Sequence, residues 1–94
     1  MNSATILCQD KYEAQKLANL IFVNDTKETY VTEILNVVEN EVVLSIKDKS
    51  AHSVVLEDND QVLLFTDFIQ SVIEKKQKIV QTEIVENYVK IIKE

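Results

Sequence analysis

The chain contains no glycine and no proline in its 94 residues. Average usage would place about six or seven glycines and four or five prolines in this length. Glycine lets backbone N–H groups close around a phosphate, so a P-loop or dinucleotide fingerprint cannot form here in its ordinary shape. The EF-hand loop, the nucleophile elbow and the KH clamp are excluded on the same ground, since each needs glycine at a fixed place. Reversals of the chain must rest on Asn and Asp, which tolerate left-handed backbone and bond their own main chain. Asn24-Asp25, Asn40, Asp48-Lys49 and Asp58-Asn59-Asp60 are the candidates. The sequence shows no internal repeat and no low-complexity linker.

Residues 1–94 make one domain by length. Val, Ile, Leu and Phe form 36% of the chain, well above the roughly 20% below which chains stay disordered. A chain this short buries only a little over ~60% of its unfolded surface, so oligomerisation would help it. No apolar run approaches the ~18 residues of a membrane span, and Met1–Asp10 lacks the basic start and extended apolar core of a signal peptide. The single cysteine, Cys8, cannot close an internal disulfide. These features predict a cytoplasmic protein with no membrane partner.

Charge is unevenly placed. Residues 25–60 hold nine acids against three lysines, which accounts for the whole net charge of −6, while the flanking thirds are balanced. Every basic residue is lysine; there is no arginine. Arginine is the usual residue for bidentate capture of phosphate, so its absence and the acidic balance argue against direct nucleic-acid binding. A charged partner is expected to be basic.

Hydrophobic periodicity predicts an α+β fold. Ala4–Cys8 reads as a short buried strand. Asp10 with Glu13 forms a capping signal, and Ala14, Leu17, Ala18 and Ile21 then mark one face of a helix over about 11–23. Glu28–Val38, Val42–Lys47 and Ala51–Glu57 carry strand chemistry and predict an antiparallel three-stranded meander. A three-residue turn at Glu39-Asn40-Glu41, pairing Val38 with Val42 and Ile34 with Ile46, sets apolar against apolar. Asp58 and Gln61 form a second cap before a helix with a wide apolar stripe. Thr82–Glu94 is again helical in period, but its stripe is offset from that of the preceding helix, which predicts a break near Lys75–Thr82. The resulting order is a short N-terminal strand and helix, the meander, then one or two C-terminal helices (β-α-β-β-β-α-α). If Lys78–Thr82 is a strand instead, the order becomes a ferredoxin-like β-α-β-β-α-β.

Residues able to carry chemistry are few. Cys8 and His52 are the one pair suggestive of a nucleophile and base, yet Cys8 sits in an apolar strand, where cysteine is ordinarily core. Ser50 and Ser53 flank His52, but adjacency in sequence is not a triad. One Cys and one His make no zinc pattern, and Asp58-Asn59-Asp60 reads as a turn and cap. Lys75, Lys76 and Lys78 complement a helix C-terminus. No cofactor, metal or catalytic residue is therefore assigned.

The leading expectation is a small acidic, non-enzymatic protein-binding domain: an adaptor, assembly subunit or inhibitor. Its expected contact residues are the acids Glu39, Glu41, Glu57, Asp58 and Asp60 and a C-terminal helix face of Ile84, Tyr88 and Ile91, the latter serving a homodimer or a hetero-contact. Two alternatives stand beside it. One is an inhibitor of the phage type that mimics nucleic acid and binds a basic enzyme. The other is a small enzyme or enzyme subunit using Cys8 or His52.

Overall fold

The computed structural model describes residues 2–23 and 28–94; the Asn24-Asp25 turn lies outside them. Strand β1 (Asn2–Leu7) alternates, with Ile6 buried and Thr5 exposed. Asp10 then caps helix α1 (Lys11–Ile21), its carboxylate accepting from the Glu13 N–H at 2.9 Å. Ala14, Leu17, Ala18 and Ile21 are buried, as their spacing predicts. Two short strands, β2 (Phe22–Val23) and β3 (Glu28–Thr29), pair with each other. The expected meander follows as β4 (Val31–Val38), β5 (Glu41–Ile46) and β6 (Ala51–Val55). Asp58 caps helix α2 (Asn59–Lys75) by accepting from the Gln61 N–H. The helix stops at Lys76, in left-handed conformation at φ 52°, where the Lys76 and Gln77 N–H groups return to Ile73 and Val72 carbonyls. The break therefore falls where the two apolar stripes diverge.

Beyond the break the helix expected over 82–94 is replaced by a hairpin, β7 (Ile79–Val85) and β8 (Tyr88–Lys93). The α+β class stands; the terminal element changes. The segment is dense in Ile, Val and Thr, which fit a pleated surface, and β8 finds a partner on both sides, between β1 and β7. The alternative order correctly makes a strand of Lys78–Thr82. The strands nevertheless form two three-stranded sheets, β1-β8-β7 and β4-β5-β6, rather than one ferredoxin-like sheet.

The first hairpin also differs in register. Its loop has two residues, Glu39 and Asn40, so Val38 pairs with Glu41, Val37 with Val42 and Ile34 with Leu44. A slip of one residue sends Val38 to the opposite face from the buried Val42. Among the described residues Asn and Asp do not take the left-handed positions either, and positive φ falls on Glu39, Lys49, Lys76 and Glu86. Asn40 and Asn87 stand one place later and use their side-chain amides to hold neighbouring backbone.

These pairings expose a duplication that the sequence reading missed. The chain is a β-α-β-β unit (β1, α1, β4, β5) followed by a second (β6, α2, β7, β8), and each unit's hairpin adds to the other unit's first strand. The two sheets meet at an antiparallel bridge between Cys8 and Leu56. Hydrogen bonds repeat in pairs around that bridge. Gln61 Oε1 accepts from the Leu7 N–H at 2.9 Å, and Glu13 Oε2 accepts from the Val55 N–H at 3.4 Å. Asn87 Nδ2 donates to the Cys8 carbonyl and Asn40 Nδ2 to the Leu56 carbonyl. The Cys8 N–H donates to the Asn87 carbonyl and the Leu56 N–H to that of Asn40, each at 2.8 Å. The sequence trace of this symmetry is short: Val38-Glu39-Asn40 and Val85-Glu86-Asn87.

Both helices lie on one side of the strands. α1 covers β7 and β8, and α2 covers β1 and β4. Ile6, Cys8, Val42, Leu44, Val54, Leu56, Val89 and Ile91 point into that layer and are buried.

Candidate partner-binding face

Cys8 and Leu56 are directly opposed and both buried, so their side chains point to the same side. Their neighbours Leu7 and Val55 must then point to the other side, away from the helices. The two sheets thus share one open face. Register extends it outward: Leu7 is opposite Tyr88 and Tyr88 opposite Val85, while Val55 is opposite Glu41 and Glu41 opposite Val38. The face carries a largely apolar row through its centre, interrupted by Glu41 between Val38 and Val55. Val85 is 67% exposed, Val38 53% and Tyr88 42%, with Leu7 and Val55 half-buried between them. Among the described residues Glu33, Glu39, Glu41, Glu57, Glu83 and Glu86 lie on or border this face, and Lys90 is the lysine on it. Apolar side chains bordered by six glutamates and one lysine, on a sheet face that no described element covers, are the features of a contact surface.

The expected contact residues divide. Glu39, Glu41, Glu57 and Tyr88 are gathered on or beside the open face, and Glu41 and Tyr88 occupy equivalent places in the two units. Ile84 is opposite Val89 and so belongs to the helix side, exposed only because it lies near the hairpin tip. Asp58 and Asp60 belong to the start of α2, where Asp58 is occupied as a cap. Ile91 is fully buried in the core and is not a surface residue. Sequence reading missed Leu7, Val38, Val55 and Val85. The signal available was the repeated Val-Glu-Asn, because a β-branched residue beside a tight turn is a poor candidate for core twice over.

The nucleophile candidates lie apart: Cys8 is buried at the junction of the sheets and His52 is bonded into the Asp48–Ser50 turn. Cys8 has no accessible surface; burial, reinforced by the nearby Glu13 and Asp10 charges, pushes its thiol up to about 12. The protonated thiol, not the nucleophilic thiolate, is therefore the form favoured at neutral pH. Ser50 sits between Asp48 and His52, its hydroxyl hydrogen-bonded to Asp48 Oδ1 and 2.8 Å from His52 Nε2. A carboxylate only accepts, so the Ser50 hydroxyl donates to Asp48, and Nε2 must donate to Ser50. In this arrangement the histidine donates to the serine rather than drawing its proton. The Ser50 N–H also donates to Asp48, at 2.8 Å. These bonds hold the Asp48 carboxyl below its ordinary range, and the cluster is a turn lock.

A cleft of about 440 Å3 opens on the helix side, floored by Val31, Val72 and Ile73 and rimmed by Lys47, Lys76 and Lys78. No group of three His, Cys, Asp or Glu residues that could hold a metal ion occurs among the described residues. No helix among them is long and apolar enough to cross a membrane. Comparison with protein-family models, with curated proteins and with solved structures gives no match.

Proposed function

We propose that this chain is a non-enzymatic protein-binding domain whose open sheet face receives a basic partner. The observation that carries the reading is the row of Leu7, Val38, Val55, Val85 and Tyr88, uncovered and apolar but for Glu41, with glutamates around it. The apolar centre would supply affinity, and the acid rim would steer the encounter and select the sign of the partner. A second copy of this chain is a poorer occupant, because face-to-face stacking would set two acid rims against each other. The single thiol, buried and unpaired, fits the reducing cytoplasm.

The test is capture from source lysate by the wild-type chain and by the double variant Val38→Glu, Val85→Glu, whose changes lie on exposed positions. A protein of basic isoelectric point retained by the first, lost from the second and released by salt is the expected result. Retention of the same partner by both forms would remove the face from consideration. A nucleic-acid-mimicking inhibitor is the narrower form of this reading, favoured by the acid rim; its mark would be competition between DNA and this chain for the captured protein.

A further inference from the structure

We propose that the cleft at the C-terminal end of α2 binds a small amphiphilic anion, a free monocarboxylate with an aliphatic tail, with Lys76 and Lys78 at its head and Val31, Val72 and Ile73 along its tail. The site lies on the helix side, away from the open sheet face, and is independent of any partner there. Its ground is a local reversal of charge. The chain carries a net −6, yet the described residues lining this cleft include three lysines, Lys47, Lys76 and Lys78, and no acid. The floor is aliphatic, with Val31 and Val72 buried and Ile73 half-buried. Its volume of about 440 Å3 lies within the ~300–1,000 Å3 of small-molecule sites. A further cation stands behind the rim. Lys93 is only 7% exposed; its ammonium donates to Gln77 Oε1 at 2.8 Å and lies 4.9 Å from the centre of the Phe68 ring. Gln77 itself lines the cleft. Among the described residues no carboxylate is ion-paired with Lys76, Lys78 or Lys93. A buried ammonium is ordinarily matched by an acid. This one meets a neutral amide and a ring, which leaves its charge to be felt in the cleft, where low-dielectric walls strengthen it. The opposing dipole of the helix end is blunted, because the Ile73 and Val72 carbonyls are already bonded by the Lys76 and Gln77 N–H groups. The head group follows from the donors. With those N–H groups engaged and no arginine in the chain, the cleft offers ammonium point charges and neither a planar fork nor a backbone cradle, which suits a single carboxylate better than a phosphate. An aliphatic floor suits an alkyl tail.

The experiment titrates the full chain at neutral pH with octanoate, octan-1-ol and acetate, below micellar concentration, and follows backbone amide and methyl signals by NMR. Octanoate should move the signals of Val31, Val72 and Ile73 saturably, at one site per chain. Octan-1-ol has the tail without the charge and should bind there about tenfold more weakly. Acetate has the charge without the tail and should leave these signals unmoved. The double variant Lys76→Gln, Lys78→Gln changes exposed side chains. It should lower octanoate affinity to that of octan-1-ol and leave octan-1-ol binding unchanged, a split that a general loss of structure would not give. Equal binding of octanoate and octan-1-ol to the wild type removes the cationic rim and overturns the proposal. So does octanoate whose shifts fall on Leu7, Val55 and Tyr88 instead, and so does the absence of any saturable shift. If the variant fails to fold, the wild-type comparison of octanoate with octan-1-ol decides alone.

Discussion

Cys8 sits where the two sheets join, and its protonation is tied to folding. The folded chain holds the thiol proton up to about 12, whereas the unfolded chain releases it near the ordinary value of 9.0. A pKa raised by folding contributes stability that is intact below 9 and is lost as pH climbs from about 9 toward about 12. Loss of the buried sulfur should make Cys8→Ala less stable than wild type by about 1 kcal/mol at neutral pH, with the gap narrowing across that alkaline window in urea unfolding at successive pH values. A thiol reagent should label Cys8 only as fast as the chain unfolds. The loop residues make a second point at this scale. Glu39 and Glu86 both hold φ of 55°. Asparagine visits this region more readily, so Glu39→Asn and Glu86→Asn should each raise stability by about 0.5–1 kcal/mol, by matching amounts in thermal or urea melts. That the positions are glutamate was not legible from turn propensity, because the hairpins are imposed by pairing on both flanks.

At the scale of elements, β8 is the strand on which the fold turns. It lies between β1 and β7 and buries Val89 and Ile91. Removing residues 82–94 should leave a chain without cooperative structure by circular dichroism, not a folded monomer lacking a docking helix. Ile91→Ala should cost about 2–5 kcal/mol, whereas Val85→Glu, on the open face of the same hairpin, should stay within about 0.5 kcal/mol. Both helices were legible in the sequence, because a cap and an i, i+3, i+4 stripe are local signals: Asp10, Glu13 and Ala14 to Ile21 suffice for α1. The last hairpin was not. Ile84, Val85, Tyr88, Val89, Ile91 and Ile92 satisfy a helical period as well as a strand period, and only β1, at the far end of the chain, decides between them.

Over the whole molecule, the two units exchange hairpins, so neither has a complete sheet alone. The Gln61 and Glu13 side chains bind the backbone of the opposite unit's strand, beside the Cys8–Leu56 bridge. Gln61→Ala leaves the Leu7 N–H without its acceptor and should cost about 1–3 kcal/mol. That loss should appear in both sheets equally. Native-state hydrogen exchange should therefore show the most protected amides of β5 and of β8 opening with one common free energy, and lowered together in the variant. Two separate values would mean that the sheets unfold independently.

Sequence alone determined the class and much of the exclusion. Without glycine or arginine the chain lacks the usual means of holding phosphate, and its capped, periodic segments place both helices and the meander through short-range rules. The acid-rich middle third is one ground of the proposed basic partner. Tertiary structure decided the last hairpin, the register that turns Val38 outward, and the meeting of Leu7 with Val55 about a pseudo-axis. These depend on strand partners distant in sequence, and a strand's period of two is silent about which face will be covered.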